Sequence, residues 1–131
     1  MLFEPKERPA ELFVVMEGFR SNRGRIMVAM YGSEKTWMTE KAIANTFRSV
    51  TSSTMTVAFR GDFARGTYAI SAFHDENGNM KLDTHKESGI PLEGFGFSND
   101  AKIMGGPAKW ESASFRIDSE KKVIKFKIHY P

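Results

Sequence analysis

From Lys122 to Tyr130 the residues alternate one for one: Ile124, Phe126, Ile128 and Tyr130 against Lys125, Lys127 and His129. A period of two puts one set on each face of an extended chain, so this is a strand with its lysines outward. Outward lysines suit an exposed face or a sheet edge, where they discourage pairing with another chain. The same period recurs through the sequence. Leu12, Val14 and Met16 alternate with Phe13, Val15 and Glu17, and Ile26, Val28 and Met30 share one face of the run from Gly24 to Tyr31. Between those runs lies RSNRG, whose Asn22 and Gly24 tolerate positive φ, so the two read as a hairpin. Met55, Val57 and Phe59 alternate with threonines and alanine, and Thr67 to His74 is apolar on both faces, as a central strand would be.

The remaining segments are less regular. Pro5 and Pro9 make residues 1 to 10 an extended arm. Residues 32 to 50 fit a short helix capped by Thr39 or a strand from Lys41 to Ser49, and the strand agrees better with its neighbours. Trp110 to Asp118 reads as a strand with Ala113, Phe115 and Ile117 inward, and Ser119 to Lys121 as a tight turn. About seven strands with short turns and no long helix predict an all-β fold, an antiparallel β-sandwich, occupying residues 11–131 as one domain with a long loop over 74–109. No cysteine is present, so the Cys–Trp–Cys spacing of a true immunoglobulin domain is missing, along with disulfides, thiolate metal sites and a Cys nucleophile.

Composition narrows the function classes. Apolar residues are 40% and charged residues 27%, as in ordinary globular domains, and the net charge of +3 is spread along the chain. A nucleic-acid module would gather Lys and Arg with exposed aromatics on one element, so no nucleic-acid partner is expected. No apolar run approaches the roughly 20 residues that span a bilayer. The first residues carry Glu4 and Glu7 and lack the apolar centre of a signal peptide. The chain either stays in the cytoplasm or has lost such a signal.

The stretch HDENGNMKLDTHKESGIPLEGFGFSNDA, residues 74 to 101, is too polar for a strand and too specific in its residues for a linker. Its oxygen-bearing side chains alternate as a calcium loop requires. Asp75, Asn77 and Asn79 fit the first, third and fifth positions, Lys81 would offer its carbonyl, and Asp83 fits the ninth. The sixth position, normally Gly, is Met80. The closing twelfth position is Lys86, with Glu87 one beyond. The competing reading is ion-free: the same Asp and Asn side chains would cap their own backbone in successive Asx turns. His74 and His85, with Asp75 and Asp83, lack the spacing that makes a zinc site persuasive. A histidine at a strand end is more often packed and bonded to a backbone group.

Phe95 and Phe97, in GFGF, are followed by no helix pattern, so a nucleotide fingerprint fails. The glycines there suit close backbone approach. Phe95, Phe97 and Trp110, with His74, are the candidate ligand-binding set, a platform for a sugar or a peptide. Ser98 lacks a nucleophile-elbow context. Arg60, Gly61 and Asp62 form an adhesion tripeptide of the kind that arises by chance. Catalysis therefore has little support, and a small hydrolase or metal-dependent enzyme on the same loop is the alternative to a binding module. A third class is assembly through edge strands.

Gly66-Thr67-Tyr68-Ala69-Ile70, Phe73-His74-Asp75-Glu76-Asn77-Gly78-Asn79, Lys81-Leu82-Asp83, Gly89-Ile90-Pro91, Glu93 to Asn99, Gly106-Pro107, Trp110-Glu111 and Ala113-Ser114-Phe115 together resemble the DUF2141 family of bacterial proteins of unknown function. The resemblance implies a small β-sandwich similar in kind to transthyretin-like domains. It implies a periplasmic or secreted location, since family members mostly look exported. The sequence departs from the family pattern at Met80, where Gly is usual.

Overall fold

The computed structural model describes residues 10–61, 63–81, 86, 92–103 and 105–131. Within them the chain forms two packed sheets. The first contains β1 (Ala10–Glu17), β4 (Thr54–Gly61) and β8 (Lys121–Lys127), in the order β4-β1-β8. The second contains β2 (Arg25–Tyr31), β3 (Ala44–Ser49), β5 (Gly66–Asp75), β6 (Gly94–Phe97) and β7 (Phe115–Ile117). Its order is β3-β2-β5-β6, with β7 paired to the first residues of β5 and β6 to the last. An all-β sandwich was expected, and an all-β sandwich it is.

The alternation read from the sequence sets the faces. Leu12, Val14 and Met16 of β1 meet Ile26, Val28 and Met30 of β2 and Tyr68, Ile70 and Ala72 of β5 in one core, joined by Val57, Phe59, Phe115, Ile117 and Phe126. Fully burying aliphatic and aromatic side chains of this kind stabilises by about 1.5–3 kcal/mol each before ordering costs are counted. β5 is central, as its two apolar faces required, and Lys121, Lys125 and Lys127 of the edge strand β8 are exposed.

Four expectations need correction. The runs around Leu12 and Ile26 are not a hairpin: β1 pairs with β4 and β8, and β2 with β3 and β5. Gly18, at φ 88, and Phe19 donate their amides to the Ser53 carbonyl, and Phe19 buries its ring as the chain crosses from one sheet to the other. Period-two patterning reveals strands but not their partners. Second, the sandwich is not wholly antiparallel, because β1 and β8 run parallel. Third, the run from Trp110 begins with a single helical turn, α1 (Trp110–Ala113), and only Phe115–Ile117 is strand. Fourth, Gly94–Phe97, expected within the loop, is the strand β6.

Ser98 explains how β6 and β7 share one side of β5. Ile70 lies between their paired stretches, and its amide donates to Ser98 Oγ at 2.9 Å. The hydroxyl in turn donates to the Ala113 carbonyl at 2.5 Å. A buried side chain thus replaces the missing ladder bond, which an inner strand would otherwise leave unsatisfied.

Candidate functional site

The loop after β5 is rooted from below and from the side. Gly24, at φ 65, lets the turn before β2 pass against the backbone of Asp75, where a Cβ would collide with the Asp75 carbonyl. That approach brings Arg20 to Glu76. Its Nε and Nη2 donate to Glu76 Oε1 at 3.1 and 2.6 Å, and Ser21 Oγ donates to Oε2 at 2.8 Å. The hydrogen bond from Arg20, helped by Ser21, holds the Glu76 carboxyl below its usual range, and the same bond raises Arg20. The amide of Glu76 donates to Glu93 Oε2 at 3.0 Å, tying the loop's beginning to its end.

His74 ends the inward face of β5 and is wholly buried. Its Nε2 lies 2.6 Å from the Arg23 carbonyl, which only accepts, so that nitrogen carries the proton. Nδ1 then accepts from the Tyr130 hydroxyl at 2.7 Å, and that oxygen accepts from the Arg20 amide at 3.1 Å. Phe19 and Tyr130 pack edge-on to the imidazole. Burial raises the Tyr130 phenol. His74 therefore occupies the core side of the sheet, away from Phe95, Phe97 and Trp110, and both its nitrogens are engaged.

Asp75 faces the other way and is also wholly buried. Its Oδ1 accepts from the Asn79 amide at 3.1 Å and its Oδ2 from the Met80 amide at 2.8 Å. Asn77 Oδ1 accepts from the Asn79 amide at 3.1 Å, and Asn79 Oδ1 from the Lys81 amide at 2.9 Å. These are the successive Asx turns that the alternating residues offered. Gly78 sits at φ 74 and Met80 at φ 64. The sixth position thus takes the left-handed conformation for which a calcium loop uses Gly, with a side chain that pays about 1–2 kcal/mol of strain there. Asp83, His85 and Glu87 lie outside the described residues. Among the described residues no three His, Cys, Asp or Glu are placed to share an ion. Of the expected calcium ligands, Asp75, Asn77 and Asn79 direct their side-chain oxygens to backbone amides of the loop.

The outer face of the larger sheet, which carries Asp75, is half roofed. Trp37 reaches over from the connection between β2 and β3 and donates Nε1–H to the Ala108 carbonyl at 2.6 Å. Its ring lies 5.1 Å from Tyr31 and 6.0 Å from both Phe97 and Trp110. Phe97 is buried beneath it with Ala69, Ala108 and Ala113. The three predicted platform aromatics are therefore unequal: Phe97 belongs to this second small core, while Trp110 and Phe95 are half-buried at its margin.

Beyond the roof, the strand register lines up one residue from each of four adjacent strands. Phe47 of β3 opposes Met27 of β2, which opposes Phe73 of β5, which opposes Phe95 of β6. Each faces away from the core, and Phe47 is 53% exposed. The Arg25 guanidinium lies 5.2 Å over the Phe47 ring, and His129 lies 6.5 Å from Phe95 at the opposite end. The neighbouring outward row is polar at Asn45 and Ser71. Phe47, Met27, Phe73 and Trp37 were missed in the sequence. The outward parity of Met27 and Phe73 was visible in the alternation. What was not visible is the register that sets four strands side by side.

No curated protein and no solved structure matches the chain. One family model does, described as an uncharacterized protein conserved in bacteria, and it spans residues 14–125. That span takes in both sheets, the Asx-rich loop and the aromatic row, and the chain belongs to the DUF2141 family.

Proposed function

We propose that this domain is a non-catalytic binding module whose contact surface is the outer face of the five-stranded sheet, beside the Asx-rich loop. The observation that carries this reading is the outward row Phe47, Met27, Phe73 and Phe95 across four adjacent strands. Neighbouring strands lie about 4.8 Å apart, so the row is an elongated apolar strip. Aromatic faces flanked by amide, hydroxyl and guanidinium groups suit the C–H faces and hydroxyls of an extended carbohydrate. Large outward apolar side chains in a contiguous row mark an interaction site more often than scattered ones do. Two groups that a hydrolase would use are committed elsewhere: His74 has both nitrogens bonded, and Ser98 Oγ both accepts and donates.

Calcium has a place in this reading as a structural ion in the loop, held by Asp75, Asn77, Asn79 and the Lys81 carbonyl with Asp83 and Glu87. The spacing of the oxygen-bearing side chains and the left-handed sixth residue support it. The family resemblance supports export, and no helix among the described residues is long and apolar enough to cross a membrane.

The decisive experiment is calorimetric titration with a panel of soluble oligosaccharides and extended peptides, with and without millimolar calcium. Binding of an oligosaccharide that Phe73→Ala and Phe95→Ala each weaken at least tenfold is expected. Peptide binding at the same row would replace the sugar, and binding indifferent to both substitutions would remove this face from consideration. Calcium is checked separately: an ion that binds only the folded chain must raise the melting temperature. No shift at millimolar calcium would dispose of the structural-ion reading.

A further inference from the structure

Among the described residues no strand pairs with the outer edge of β3, and the chemistry of that edge specifies a partner. Gly24, just before β2, and Met30 of β2 point their carbonyls toward β3, accepting from Val50 and Ile43 at its two ends. Backbone groups alternate sides along a strand, so the even-numbered residues of β2 face β3. Their register partners in β3 are Ala44, Thr46 and Arg48. The amides and carbonyls of Asn45, Phe47 and Ser49 therefore point away from the sheet. Asn45, Phe47, Arg48 and Ser49 are exposed, and the six residues ANTFRS contain no proline or lysine. The edge of β8 is treated differently: Lys121, Lys125 and Lys127 stand exposed along it, and Asp100 Oδ1 accepts the Lys127 amide at 2.8 Å. Lysines and side-chain caps are usual guards against edge pairing; among the described residues β3 has neither, and its one charge is Arg48, exposed on the inner side.

We infer that the β3 edge is a self-association surface, occupied by β3 of a second copy of this chain in antiparallel pairing with its twofold axis at Phe47. In this register Phe47 faces Phe47 of the second copy, and Asn45 faces Ser49 on either side. All three pairs consist of residues whose backbone groups point outward, so each exchanges both hydrogen bonds. No outward amide or carbonyl in the strand is left over. The facing side chains agree as well. Two phenylalanines meet on the outer face, Asn45 can bond Ser49 there, and Arg48 meets Thr46 on the inner side, so no like charges oppose. Shifting the register by one residue would pair outward backbone with inward backbone and lose the ladder. A twofold interface of this kind is isologous, and it closes at two copies rather than growing into a fibre. The second copy also places its own Phe47 end to end with the first, continuing the aromatic strip across the junction. The inference stands on the edge itself and does not depend on what that strip binds.

The absence of cysteine makes a direct test available. The unsubstituted chain is first examined by sedimentation velocity from micromolar to millimolar concentration. A concentration-dependent dimer is expected, and Phe47→Lys is expected to sediment as a monomer with unchanged circular dichroism. A monomer throughout would overturn the inference, whether the edge is free or covered by another part of the same chain. Phe47→Cys then reads the register. Directly opposed residues of a hydrogen-bonded pair have Cα atoms about 5.5 Å apart, within disulfide reach. Mild oxidation should give a covalent dimer. Asn45→Cys should not, because its counterpart would lie four residues away along the strand, about 14 Å. Equal cross-linking of the two variants, or cross-linking of Asn45→Cys alone, would sink the proposed register.

Discussion

Met80 shows how much of this protein turns on single residues in uncommon conformations. It holds φ 64 while its side chain stands 52% exposed, so no packing compensates the strain. Met80→Gly removes a left-handed cost of about 1–2 kcal/mol and adds about 0.5–1 kcal/mol of backbone entropy. A net gain below about 1.5 kcal/mol is expected, read as a higher urea midpoint with unchanged slope. Gly96 is the opposite case. A Cβ there would lie 2.5 Å from the Lys127 carbonyl and 2.9 Å from the Phe126 ring. Backbone cannot yield as a side chain can, so Gly96→Ala should destabilise by about 1–3 kcal/mol. His74→Phe keeps the ring volume but leaves the Arg23 carbonyl without its donor and Tyr130 without its acceptor. A buried group left unpaired costs about 1–3 kcal/mol and a partly buried one less, so this variant should melt below the parent. The roles of Gly94 and Gly96 as close-approach residues were legible in GFGF. The partner of His74 was not, because Tyr130 lies 56 residues away in the chain.

At the scale of the element, the loop after β5 behaves as a clamped unit. Asp75 gathers two amides beneath it, and the Arg20–Glu76 pair fastens its first residue to the turn before β2. The bond from Arg20 lowers the folded-state pKa of Glu76 below its unfolded value. A depressed carboxyl stabilises the fold above its unfolded pKa, and that contribution is lost as pH falls through the folded value. Amide exchange at Asn79 to Lys81 should therefore be slow at neutral pH and quicken as pH falls below the ordinary glutamate range, corrected for intrinsic rates. Glu76→Gln should flatten the part of that acid response that comes from the clamp. Exchange in the variant that still followed the parent's acid profile would show that Glu76 does not fasten the loop. The Asx turns were readable from the spacing Asp75, Asn77, Asn79, because each such side chain caps backbone two residues on. The clamp was not, because Arg20 comes from a turn that was assigned to a hairpin.

Across the whole molecule, the C-terminal strand holds the two sheets together. β8 lies parallel to β1 in the smaller sheet, and beyond it Phe95 and His129 exchange amide–carbonyl bonds at 2.9 and 2.8 Å in the larger one. Phe126 and Ile128 are buried between. Ending the chain at Lys125 removes the suture and both core side chains. Loss of the cooperative thermal transition is expected, with circular dichroism and near-ultraviolet signal falling together. A truncated chain that still unfolded sharply near the parent's temperature would show that the suture is dispensable. Parallel pairing of β1 and β8 is a long-range choice: their residues are about as far apart in sequence as this chain allows.

The sequence by itself determined the strands with sustained alternation, such as β1, β2, β4 and β8, and which side of each is buried, because a period of two is written locally and burial follows from it. It also determined the character of the loop from Asp75, whose side chains bond backbone only a few residues away. Only the tertiary structure decided which strands are neighbours, and with that everything that depends on register. The separation of β1 from β2, the alignment of Phe47, Met27, Phe73 and Phe95, the enclosure of His74 and the place of β3 at the end of the described strand order all follow from pairings between distant segments. Such pairings depend on how the two sheets share one core, and alternation within a strand carries no record of that. The strand from Lys122 onward makes the division plain. Its faces were legible at once, and its parallel partner and its hold on both sheets were not.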